Sequence, residues 1–152
     1  MTLESVREHI NRDNLDIELY ELKESTATVP LAAKAIGVEP GMIAKSMAIR
    51  LKEEDIIILA KGDVRLDNKK FKSIFREKAR FISGEDIFEA TGHPVGGVCP
   101  FGLSRKLKVY LDESLKIYEY VYPAAGSPNA CMKISLEYLK EVTEGEWVDV
   151  CI

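Results

Sequence analysis

The chain has little of what small proteins use as staples. Its three cysteines, Cys99, Cys131 and Cys151, are odd in number and show none of the short spacings that zinc ligands or a redox pair require. That excludes a disulfide scaffold and predicts reduced thiols with no bound metal. Only two histidines are present, His9 and His93, and His9 falls in an expected surface helix, so no Ser-His-Asp relay can be assembled with conviction. No apolar run approaches the ~18 residues of a membrane span, and the opening MTLESVREHINRDN lacks the apolar centre of a signal peptide. A soluble, cytoplasmic protein is expected. With 25 acidic and 21 basic residues the net charge is −4, which argues against a nonspecific nucleic-acid coat and so against a DNA binder. The Gly-Lys-Ser/Thr ending of a phosphate loop and the spaced glycines of a dinucleotide site are both missing, so no nucleotide cofactor is expected. Repeats, linkers and low-complexity tails are missing as well.

What remains is enough for a packed core. A globule of 152 residues buries roughly 68–70% of its unfolded surface, so one domain over residues 1–152 is expected. Helical periodicity appears at Leu3–Asn14 behind a Thr2 cap, at Thr28–Ile36 with Pro30 in its first turn, near Glu85–Ala90, and after Ser135 through Leu136, Leu139 and Val142. Apolar, β-rich runs occupy Ile17–Leu22, Lys45–Leu51, Ile56–Lys61, Ala79–Ile82, Lys108–Leu111, Ile117–Tyr122, Ala130–Ile134 and Trp147–Cys151. Lys52-Glu53-Glu54-Asp55 reads as a hairpin turn. Such an order predicts α+β rather than a repeating βαβ sheet.

Three features exceed the needs of folding. Residues 65–80, RLDNKKFKSIFREKAR, carry seven Lys or Arg against two acids, a local +5 in an acidic chain. Behind an Asp67 cap, Phe71, Ile74, Phe75 and Lys78 share one helical face while Lys69, Lys72 and Arg76 occupy another. The cationic face is either solvated or a contact for RNA phosphates. Next, TGHPVGGVCPFGL at 91–103 and YPAAGSPNA at 122–130 are glycine-containing loops, read either as tight turns or as backbone cradles whose N–H groups bind a carbonyl. Lastly, Lys45 sits among Ile43, Ala44, Met47 and Ile49, where an ammonium needs a partner, a ligand or a route to water.

The set AKSMAIR, TGHPVGGVCPFGL, VYLDESL and YPAAGSPNACMKIS, in that order, resembles the YbaK-like family of aminoacyl-tRNA deacylases, which includes the editing domain inserted in bacterial prolyl-tRNA synthetases. The resemblance implies a curved, mixed, mostly antiparallel sheet, barrel-like, with short helices around it. It implies a free-standing, trans-acting deacylase that hydrolyses the ester of mischarged tRNA for proline, charged with alanine or cysteine, with prolyl-tRNA synthetase as a candidate partner. The family lysine maps onto Lys45 as the catalytic or anchoring residue. The substrate pocket maps onto Gly96, Gly97, Val98, Cys99, Pro100, Gly126, Ser127 and Asn129. Lys69, Lys72 and Arg76 are the expected tRNA contacts. A second reading keeps the same pocket but makes the chain a noncatalytic binder of tRNA 3′ ends or of a synthetase. Cys99 stands where relatives often carry serine, and without a neighbouring base it is expected to pack rather than attack.

Overall fold

The computed structural model describes residues 2–152; the Thr2 side chain, and with it the expected cap, lies outside the described part. Among these residues helices α1 (Thr2–Arg12), α2 (Val29–Ile36), α3 (Asn68–Phe75), α4 (Ile87–Thr91) and α5 (Leu136–Thr143) accompany strands β1 (Glu18–Glu21), β2 (Ile43–Arg50), β3 (Asp55–Lys61), β4 (Lys108–Asp112), β5 (Tyr120–Pro123), β6 (Ala130–Ser135) and β7 (Glu146–Val148). The strands form one sheet in the order β1-β6-β5-β2-β3-β4-β7. The fold is α+β, as expected. The longest ladder is the antiparallel β2–β3 hairpin, in which Lys45 pairs with Ala60 and Ser46 with Leu59. Pairs β1–β6 and β5–β6 are also antiparallel, while β2–β5, β3–β4 and β4–β7 are parallel. The sheet is open, with β1 and β7 at its edges, so the barrel-like character does not extend to closure.

Strand β3 shows why the sheet has helices on both sides. Ile56, Ile57, Ile58, Leu59 and Ala60 are all fully buried, as in a central strand covered on both faces. On one face Leu59 joins Val6, Ile10, Phe101, Leu111, Met132 and Leu139, so α1 and α5 pack there. On the other, Ile56, Ile58 and Ala60 join Ile49, Phe71 and Val150 under α3. Alternation along one strand feeds two cores.

Helix ends follow their local chemistry. Thr28, Asp67 and Ser135 cap α2, α3 and α5 by accepting from Leu31, Lys69 and Tyr138 N–H groups. Asp112 is buried, and its two carboxylate oxygens accept from Ser114 and Val150 N–H groups at 2.9 and 2.8 Å. The VYLDESL motif therefore ties β4, a 3-10 turn at Glu113–Ile117 and the C-terminal segment together. Three expected strands are shorter. Residues 79–82 contribute only a bridge between Phe81 and Ile49, 117–119 lie at the end of that turn or beyond it, and Cys151 forms only a bridge with Leu66. The basic helix stops at Phe75, with Arg76 left-handed, so Lys78 lies beyond it.

Candidate functional site

A cavity of about 340 Å³ lies where the start of α2, the middle of β2, the 81–87 segment and the loop at 95–98 meet. That is the lower end of the range for a small-molecule site. Its wall is largely apolar: Val29, Ile43, Ala48, Ile82, Ile87 and Val98 contribute. Polar residues in the lining are Thr26, Thr28, Lys45, Ser46, Tyr122 and Cys131, and among the described residues no carboxylate takes part.

Each polar group has a distinct state. The Thr28 hydroxyl accepts from the Leu31 N–H in the α2 cap, with its own O–H left as a donor. The Lys45 ammonium donates to the Val64 carbonyl, tying β2 to the turn after β3. Burial pushes Lys45 below the ordinary lysine range, with Cys151 and Asp63 acting in the opposite direction. Thr26 Oγ1 and Ser46 Oγ are buried and have no hydrogen-bond partner among the described residues. Buried hydroxyls without partners are uncommon in folded chains.

The glycine-rich loop is held by contacts that sequence alone could not reveal. Gly102 N–H donates to His9 Nδ1 at 3.0 Å, and the His9 ring stands edge-on to Phe101 with centroids 5.4 Å apart. Inside the loop the His93 Nε2–H donates to the Phe101 carbonyl at 2.7 Å, and burial pushes the His93 pKa down, against the raising effect of that hydrogen bond. It stands outside the cavity lining, and its Nε2 lies 3.8 Å from Cys99 Sγ, so Cys99 does have an imidazole beside it, one already bonded to the Phe101 carbonyl. The Cys99 thiol donates to the same carbonyl at 3.4 Å. Complete burial pushes that thiol up to about 12, which removes the thiolate a nucleophile needs. Cys99→Ser preserves a donor to the Phe101 carbonyl and is expected to act on substrate at a near-parent rate. A loss of two orders of magnitude in single-turnover assays would show that Cys99 takes part in the chemistry.

Of the residues expected to bind substrate, Lys45, Gly96 and Val98 line the cavity. The expectation that Gly96 and Gly97 are glycine to leave space for the aminoacyl group is corrected at Gly97. A Cβ there would stand 2.6 Å from Ser127 N and 2.7 Å from the Gly126 carbonyl carbon, so Gly97 is required by the second loop rather than by space for a ligand. Gly126 N–H donates to the Gly97 carbonyl at 2.8 Å, which seals the two loops together. Gly126, Ser127 and Asn129 lie behind the wall: Asn129 Nδ2 donates to the Leu22 carbonyl, and Pro128 accepts the Thr26 N–H. Cys99 and Pro100 are buried outside the lining. Lys69, Lys72 and Arg76 are exposed and, with Lys52, Lys78 and Arg80, surround two shallow depressions on and after α3. None of these three makes an ion pair among the described residues, whereas Lys70 pairs with Asp149. Sequence reasoning missed Thr26 and Ser46. Ser46 directly follows Lys45 in an apolar strand and was detectable as a polar side chain on a buried face; Thr26 carried no such mark.

A profile of the aminoacyl-tRNA editing domain matches residues 23–142, a span that holds all four motifs quoted above. The chain belongs to the aminoacyl-tRNA editing domain family. The uncharacterized protein YwhH of Bacillus subtilis (strain 168) is 44% identical to this editing domain over 153 residues, covering 99% of this chain and 98% of YwhH. The proline–tRNA ligase of Bacillus licheniformis is 31% identical over 104 residues, which is 65% of the editing domain and 18% of the ligase. A solved structure described as that of a proposed trans-editing enzyme for prolyl tRNA synthetase matches with a TM-score of 0.90 at 31% identity, covering 97% of this chain and 95% of that one. No described helix of the editing domain is long and apolar enough to cross a membrane.

Proposed function

We propose that this editing domain hydrolyses, in trans and in the cytoplasm, the ester between a wrong small amino acid, alanine or cysteine, and the tRNA for proline. The observation that carries the reading is the convergence of Lys45, Gly96 and Val98, from motifs about fifty residues apart, on one small apolar cavity in a chain of the editing family. An aminoacyl ester is already activated, so the site has to hold it, admit an attacking hydroxyl and stabilise the developing oxyanion. The net reaction adds water across the acyl carbon–oxygen bond, releasing the amino acid and the ribose hydroxyl. Gly97 N–H is taken by the Pro94 carbonyl at 3.0 Å, leaving the N–H groups of Gly96 and Val98, which bond to no described residue, as candidate oxyanion donors. Lys45 would exchange the Val64 carbonyl for the substrate or the tRNA terminus.

One observation favours the second, noncatalytic reading: the Lys45 ammonium already has a protein acceptor. A deacylation assay with alanyl- and cysteinyl-tRNA for proline separates the two. Enzyme-dependent release of free amino acid is expected, and tight binding without release would leave a binding module.

The cationic face after the Asp67 cap is proposed to meet tRNA phosphates. Replacing Lys69, Lys72 and Arg76 by Gln is expected to weaken tRNA binding and to flatten its log–log salt dependence by roughly 2–3 units, at about 0.7–0.9 per phosphate contact. An unchanged slope would leave α3 with only a solvated face.

A further inference from the structure

Thr26 and Ser46 line a cavity whose other walls are mainly apolar, and their buried hydroxyl oxygens bond no described residue. Thr26 is 5% exposed, and its backbone N–H already donates to Pro128, so the residue is anchored while Oγ1 bonds nothing described. Ser46 lies on the β2 side shared with Ala44 and Ala48, and Ala48 packs against Ile82 and Ile87. In that setting an unused hydroxyl is costly unless something bonds it. We propose that Thr26 and Ser46 form a hydrogen-bonding subsite for the side-chain hydroxyl or thiol of the aminoacyl group, making the domain selective for a small polar residue over alanine. The inference rests on the deacylase reading above, and to the alanyl and cysteinyl esters named there it adds the seryl ester as the preferred one.

The α-ammonium of the substrate is the competing occupant. The cavity wall offers it no carboxylate and already includes Lys45, so a second cation would be desolvated without a counter-charge. A neutral hydroxyl suits the pair better, since it can accept from one side chain and donate to the other. A thiol does the same more weakly, and a methyl group leaves both protein hydroxyls unbonded. Sites built to hydrogen-bond a substrate group discriminate strongly against the analogue that lacks it. The expected order is therefore seryl, then cysteinyl, then alanyl.

The test charges one proline tRNA with serine, cysteine or alanine and measures kcat/KM for each. The seryl ester is expected to exceed the alanyl ester by roughly 10- to 100-fold, the range for leaving buried polar groups unpaired. In Thr26→Val and Ser46→Ala the seryl-to-alanyl ratio should fall about tenfold, and Thr26→Ser, which keeps a hydroxyl and serves if the valine variant does not fold, should restore it. Equal seryl and alanyl rates in the parent, or variants that slow all esters alike as an ammonium contact would, overturn the subsite while leaving the deacylase intact. Failure of the parent on every ester overturns the deacylase reading, and the subsite with it.

Discussion

Lys45→Ala is expected to lower the single-turnover rate of deacylation by about 10²–10³, the loss typical of removing one donor to a developing oxyanion. The position of the lysine defines two effects that have to be read separately. Its ammonium holds the Val64 carbonyl, and losing a charged hydrogen bond there costs about 1.5–3 kcal/mol at most. For a chain of this length that is a fall of roughly 3–12 °C in Tm, which leaves a folded protein at assay temperature. A purely structural lysine would give that thermal shift alone. A catalytic or anchoring lysine gives the rate loss in a protein that is still folded. Full retention of deacylation on every ester that the parent hydrolyses would end the proposed role.

Gly97→Ala is expected to act in the opposite proportion. The added methyl meets backbone atoms of Gly126 and Ser127 at 2.6–2.9 Å, and backbone cannot swing aside as a side chain would. The two loops must separate, breaking the bond from Gly126 N–H to the Gly97 carbonyl. A destabilisation of about 2–3 kcal/mol follows, or roughly 4–12 °C in Tm, before any effect on rate. Gly84→Ala is the control. Its Cβ would meet only Val95 Cγ2 at 3.6 Å, an ordinary contact, so a Tm close to the parent is expected. Equal melting of the Gly97 and Gly84 variants, measured by calorimetry, would show that the loops are not packed as described.

Most of the local structure was legible because it is written in near neighbours. The Asp67 and Ser135 caps, the 52–55 turn and the apolar runs of β2, β3 and β6 depend on residues within a few positions of one another. The family was legible for a related reason, since four motifs in fixed order carry it and all fall within the matched span. Parallel pairing was not legible. Strands β3 and β4 pair across the basic helix and the whole glycine-rich loop, and no local pattern encodes a partner that far away.

The same division holds for the site. Sequence by itself determined most of the elements through residue type and spacing, while the class of the protein and the two segments around Lys45 and Gly96 that line the cavity followed from the family resemblance. Only the tertiary structure decided what each residue does there. It placed Gly97 against Gly126 and not against a ligand, put Cys99 and His93 on the Phe101 carbonyl, and left Thr26 and Ser46 as the unsatisfied hydroxyls of the wall. Hydrogen-bond satisfaction and close backbone approach are properties of atoms brought together from distant parts of the chain, so no reading of one segment at a time can assign them.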